Sequence, residues 1–324
     1  MKQKTRKLFI IFLIAGLFAP NLFAQTYKYT MKTIGRHQDE VLGVFVDEAD
    51  TKVATCSLDE TIKIWSIPEG KELVTMTGHL EQVNNLSFSG NDELIASASS
   101  DQTVRVWDVK TGKQVSVLKG HTAPVIGVYF SPDDSSTFIA STSFDKTVKL
   151  WDRRLGTEIK TLRDHTLPTN NVAYSYDGKY IASCSDDKTI KIWSTDLTTK
   201  EPIMTLLGHE APVLTVLFNF DSSLLASSDQ DGVVKIWKMP KGTLLRTIKA
   251  HKELVQDISF AADNTTLVSA SLDKTVKLWN VSTGMNLMTF DAGVEIWSVD
   301  LVSDMSTIII GCADGTVRFL TRQK

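Results

Sequence analysis

Tryptophan recurs along the chain at positions 65, 107, 151, 193, 237 and 279, at intervals of 42, 44, 42, 44 and 42 residues. Each closes a near-copy of one phrase: DETIKIW, DQTVRVW, DKTVKLW, DKTIKIW, DGVVKIW and again DKTVKLW. A degenerate copy, DGTVRFL, ends at Leu320. A site that does chemistry is needed once, whereas a recurring structural unit must be copied. A fixed period near 42 therefore decides the architecture before any other signal is weighed.

A second signal keeps step with the first. The six histidines, His37, His79, His121, His165, His209 and His251, each lie 28 or 30 residues before a tryptophan, mostly as GH or a variant of it. Between the two signals run short alternating segments. VNNLSF, VIGVYF and VLTVLF read as first strands; LIASAS, FIASTS and YIASCS as second strands. TVRVWD and TIKIWS read as third strands, and KQVSVL and TLLRTI as fourth strands. They are β-branched, apolar and polar by turns, and turn-formers such as SPDD, SYDG and KTG separate them. No segment sustains a helical period, so the chain is expected to be all-β.

Four strands per unit, with GH near the start and WD near the end, resemble the WD40 repeat family over about residues 29–324. The resemblance implies a β-propeller, one four-stranded antiparallel blade per repeat around a central channel. Six repeats match well and a seventh poorly, giving seven blades. The last unit, 294–321, stops after its third strand. YTMKTIGRH at 29–37 aligns with ELVTMTGH at 72–79, a fourth strand followed by GH. Residues 29–34 are therefore expected to pair with 316–321 and close the ring, which removes edges that would template aggregation.

The resemblance also implies a hydrogen-bonded tetrad in each blade: the GH His, a second-strand Ser or Thr, a turn Asp and the third-strand Trp. By alignment these are His79, Ser97, Asp101 and Trp107; His121, Ser141, Asp145 and Trp151; and His165, Ser183, Asp187 and Trp193. The turn acids of the seven repeats align as Asp59, Asp101, Asp145, Asp187, Asp231, Asp273 and Asp314. The seventh repeat lacks the His and has Ile310 and Leu320 in the Ser and Trp places, so it is expected to be the loosest blade.

The first 24 residues stand outside the repeat. Lys2, Lys4, Arg6 and Lys7 precede an apolar run of twelve, Leu8–Ala19, and then PNLFAQ, with Ala24 before Gln25. That order is the one of a secretory signal peptide. Twelve apolar residues fall short of the ~20 that span a bilayer, so cleavage is favoured over an uncleaved anchor, and residues 25–324 form one propeller domain. Cleavage takes the net charge from −3 to about −7, which argues against nucleic acid and anionic membrane as partners. The mature chain is expected to be secreted or periplasmic and a monomeric ring. Cys56, Cys184 and Cys312 fall in second strands of different blades and read as small buried residues rather than disulfide partners or ligands.

No HExxH, P-loop or GxSxG is present, and histidines and turn acids are spread one per blade. No catalytic residue, metal site or cofactor is expected. What remains is surface. In the family, two positions per blade point to the usual docking face. One is the residue before the turn Asp: Leu58, Ser100, Phe144, Asp186, Gln230, Leu272 and Ala313. The other is the first residue of a bulge in the first strand: Leu42, Asn84, Ile126, Asn170, Leu214, Gln256 and Trp297. Trp297, the single Trp outside the third-strand position, either joins Phe144, Ile126, Leu42, Leu58, Leu214 and Leu272 in an apolar ring or turns inward to replace the missing Trp of the seventh repeat. The chain reads as a non-catalytic protein-interaction scaffold. The alternatives are a propeller that binds a glycan or small ligand, with Trp297 stacking on a sugar, and, behind it, a propeller enzyme.

Overall fold

The computed structural model describes residues 27–323, apart from 134 and 197; residues 1–24, expected to be a signal peptide, lie outside the described residues. Twenty-eight strands, numbered in chain order, form seven four-stranded antiparallel sheets. Six sheets are consecutive in sequence. The seventh has the order β1-β28-β27-β26, with β1 at Tyr29–Arg36, β26 at Ile296–Leu301, β27 at Thr307–Cys312 and β28 at Thr316–Arg322. We call the strands of each blade a to d from the centre outward. The a strands pack side by side in a closed ring, with the a strand of blade 1 (Val41–Val46) meeting both blade 2 and blade 7.

Position in the blade explains composition. The b strands lie between neighbouring sheets and are buried almost end to end, as in Lys52–Ser57 and Tyr180–Ser185. Small side chains such as Ala, Ser, Thr and Cys fill that space, since two blades must approach closely on both faces. This is where Cys56, Cys184 and Cys312 sit, all free and buried. The c strands bury their apolar residues and the Trp. The d strands, at the rim, are exposed for most of their length and bury one residue near the end, such as Met76, Leu118 or Leu162.

The ring closes as expected, by pairing of β1 with β28, over residues 29–36 and 316–322 with a bulge between Thr33 and Gly35. Tyr29 pairs with Arg322, Met31 with Leu320 and Thr33 with Arg318. Tyr29 is buried, its hydroxyl donates to the Met305 carbonyl at 2.8 Å, and it shares an apolar cluster with Leu301, Ile308 and Leu320. The space where a third-strand Trp would stand is thus filled by aliphatic groups and the closing strand. Blade 7 also replaces its missing histidine. Arg318 donates to Asp314 at 2.6 Å, to Thr316 at 2.7 Å and to the Ala292 carbonyl at 2.9 Å. The guanidinium thereby joins the b–c turn to the d–a loop, as imidazole does elsewhere.

Candidate docking face

The residues at the d–a and b–c end of each blade are fixed by one polar relay. In blade 2, Asp101 accepts from His79 Nδ1 at 2.8 Å, and Ser97 Oγ lies 2.7 Å from His79 Nε2. Trp107 Nε1 donates to the same Ser97 oxygen at 2.8 Å. The donor inventory fixes the proton positions: the carboxylate only accepts, so Nδ1 carries the hydrogen, Nε2 accepts from the hydroxyl, and the hydroxyl oxygen accepts from the indole. Blade 3 repeats this with His121, Ser141, Asp145 and Trp151 at 2.8 Å throughout. Blade 4 does so with His165, Ser183, Asp187 and Trp193 at 2.8 to 2.9 Å. Blades 1 and 6 use His37, Thr55, Asp59 and Trp65, and His251, Ser269, Asp273 and Trp279. The glycine two residues before His37 has a packing reason: a Cβ on Gly35 would lie 2.1 Å from the Trp65 ring.

Blade 5 departs from the alignment. His209 Nδ1 bonds Asp229 at 2.6 Å, not Asp231. Asp229 replaces the serine that ends the b strand in blades 1 to 4 and 6 and is 2% exposed, whereas Asp231 is exposed. Asp229 Oδ1 also accepts from the backbone N–H groups of Asp231 and Val233, both at 3.0 Å. A carboxylate two residues earlier reaches the same imidazole from the strand end, and the expected acid becomes a surface residue.

The relay sets charge states. Burial opposes ionisation of Asp101, Asp145 and Asp187, but bonds from the histidine and from Thr103, Thr147 or Thr189 outweigh it and hold each well below the usual carboxylate range. Burial lowers His79, and lowers His251 to about 4, against the pull of Asp101 and Asp273. Both imidazoles are therefore neutral at physiological pH.

On this frame sit the surface positions. Every a strand shifts register after its first residue, leaving Leu42, Asn84, Ile126, Asn170, Leu214, Gln256 and Trp297 unpaired in a β-bulge. The residues before the turn acid are held by the d–a loop: Leu58 N–H donates to Glu40, Phe144 to Pro124 and Ala313 to Glu295 carbonyls, each at 3.0 Å. Both sets thus lie at the same end of the blades. Two polar members, Asn84 and Asn170, are engaged between blades. Asn84 Nδ2 donates to the Val125 carbonyl at 2.8 Å and Asn170 Nδ2 to the Val213 carbonyl at 2.9 Å. The apolar members have no such tie. Phe144 is 45% exposed; Leu42, Leu58, Ile126, Leu214, Leu272 and Trp297 are half-buried. Trp297 is the bulge residue of β26 and stands apart from the cluster around Leu320. Its indole N–H is buried without a hydrogen bond of ordinary geometry, beside the Glu40 carboxylate of the blade 1 loop. Burial and Asp39 push that carboxyl up.

The channel wall between the docking face and the opposite mouth holds groups that sequence reasoning passed over. Asp257 and Asp300 lie in the a strands of blades 6 and 7, in the wall of a cavity of about 560 Å³. Asp257 accepts from Ser298 Oγ at 2.6 Å and Val299 N at 3.1 Å; Asp300 accepts from Ser259 Oγ and Val46 N, both at 2.8 Å. Ser298 Oγ accepts in turn from Val44 N at 2.9 Å. These bonds stitch blades 6, 7 and 1 across the seam where the ring closes. Among the described residues no three metal-ligating side chains converge, and no helix is long and apolar enough to cross a membrane.

The family described as WD domain, G-beta repeat matches residues 28–66, 70–108, 112–152, 156–194, 200–238 and 242–280. The chain belongs to that family. The matched stretches end at 280, before β26 to β28, where the His and Trp are absent from the repeat. WD40 propellers typically serve as protein-interaction scaffolds. No curated protein matches the chain.

Proposed function

We propose that this WD40 propeller is an exported scaffold that docks a protein partner on the face carrying the d–a and b–c loops. The reading rests on one observation. The bulge in every a strand sets seven residues at the same end of the ring, and of the five without an inter-blade hydrogen bond all but Gln256 are apolar. Phe144 stands 45% exposed, and exposed aromatic and aliphatic groups on a rigid frame are the anchors that dominate protein interfaces. Export rests on the charged, then apolar, then small-residue order of residues 1–24. Affinity capture from cell-envelope and medium fractions tests both parts, with the chain from Gln25 beside a Trp297→Ala/Phe144→Ala version of equal melting temperature. A protein retained by the first at least ~10-fold better than by the second is expected, because two buried aromatic anchors are each worth about 2 kcal/mol. Equal retention by both places docking elsewhere.

A further inference from the structure

The cavity at the a–b end of the channel has a lining that selects a ligand chemistry. Each a strand runs from the docking face to this end, so the two mouths are distinct. Residues of all seven blades line the cavity, and no Lys, Arg or His is among them. Acids are: Asp47, Glu48, Asp50, Asp257 and Asp300 line it, and of these Asp47 alone makes an ion pair among the described residues, with Lys52 at 3.3 Å. The rim is divided. Blade 1 contributes Glu48 and Asp50 from its a–b turn; blades 4 and 5 contribute Tyr176 and Phe220, 37% and 43% exposed, with ring centroids 4.8 Å apart.

From this geometry we infer that the a–b mouth is a binding site for an alkylammonium ligand of the polyamine class. The aliphatic chain lies over the Tyr176–Phe220 pair, with the ammonium groups at Glu48 and Asp50 on the rim and in the field of Asp257 and Asp300 inside. A metal ion fits poorly. Asp257 and Asp300 already spend their oxygens on the Ser298, Val299, Ser259 and Val46 donors, and a hard cation needs six or so free oxygen ligands. An organic cation needs no inner coordination: it responds to the uncompensated negative field of a low-dielectric cleft and to the faces of aromatic rings. An apolar cavity with a few convergent polar groups is also the usual form of a small-molecule site. Burial drives Asp257 up to about 7 and Asp300 to about 6, so a bound cation would expel protons from them. Its rim, formed by Glu48, Asp50, Tyr176 and Phe220, lies at the opposite end of the a strands from the docking face.

Calorimetric titration of the full chain with spermidine tests it, at pH 6.5 in two buffers of different ionisation heat. Saturable binding with proton release is expected, absent for 1,8-octanediol and without proton release at pH 9. Tyr176→Ala/Phe220→Ala and Glu48→Gln, all at exposed positions, are each expected to weaken binding by ~10-fold or more. Trp297→Ala, at the other mouth, leaves it unchanged. No saturable binding, equal binding of octanediol, equal competition by Mg²⁺, or equal weakening by Trp297→Ala would each overturn the assignment. A lysine-rich peptide that binds while spermidine does not would also overturn it, in favour of a protein ligand.

Discussion

Asp229 and Asp231 are two residues apart and chemically identical, yet only one holds a histidine. Ser227 Oγ serves both His209 Nε2 at 2.7 Å and Trp237 Nε1 at 2.9 Å, so the whole relay hangs on the imidazole that Asp229 orients. Replacing Asp229 with Ala is expected to cost about 2 kcal/mol or more, because it strips a buried imidazole and two backbone donors of a charged acceptor. Asp231→Ala is expected to stay within about 0.5 kcal/mol, as surface changes do. Urea midpoints of the two variants decide it, and reversal of their order would mean the relay runs through Asp231. The relay also has a defined acid limit. In blades 2 and 6 the unfolded chain takes up protons on His near 6.5 and on Asp near 4, while the folded chain resists on both, with His79 lowered, His251 at about 4 and Asp101 and Asp273 held below the usual carboxylate range. The stability these groups contribute is therefore lost as pH falls from about 6.5 through 4. Five of the six His-centred relays follow the spacing in the sequence. The blade 5 exception was hidden because a spacing rule places residues by count, while a carboxylate at a strand end reaches the same atom from another direction.

Strand a is the element whose chemistry the pattern hid most. VQDISF and WSVDLV carry an acid where other blades have Gly, Asn, Thr, Ser or apolar residues. Alternation marks such positions as non-core, and a lone acid at a polar position reads as solvated. The ring geometry instead turns them into the channel wall, where they accept bonds from neighbouring blades. Their pH dependence opposes that of the tetrads. Burial raises both carboxyls, to about 7 and about 6, so the folded chain binds more protons than the unfolded one between pH 4 and 7. Their contribution is present at the acid end of that window and falls as pH rises through it. Against Asp257→Asn, the wild type is expected to lose on the order of 2 kcal/mol of relative stability between pH 5 and 8. Parallel stability curves for the two proteins would show that Asp257 does not titrate in this range. The other decisive element is β1. Its pairing with β28 was legible, since YTMKTIGRH reads as a fourth strand without its blade. A chain beginning at Thr33 loses Tyr29 and the pairs of Thr30, Met31 and Lys32 with Thr321, Leu320 and Phe319. It is expected to melt lower and to aggregate through the bared edge of β28. Hydrogen exchange should show β28 amides deprotected first, and unchanged protection there would mean that the closing strand carries little of the ring's stability.

At the scale of the whole molecule, the 42-residue period gave the number of blades, their strands and the closure, because a propeller is one pattern written seven times. Function is written where the copies differ. Leu42, Ile126, Leu214 and Trp297 occupy one register position that Asn84 and Asn170 fill with inter-blade hydrogen bonds. The bulge position was readable from the resemblance; which bulge residues are tied down was not, since that depends on the next blade's carbonyls. The central claim is that the untied ones bind a protein. The most direct test is hydrogen exchange of the propeller with and without the captured partner. The account predicts that protection rises in the d–a loops and b–c turns, around 294–298 and 142–146, while the a–b turns such as 47–51 and 175–179 keep their free rates. Protection confined to the a–b turns or to the rim d strands would contradict it.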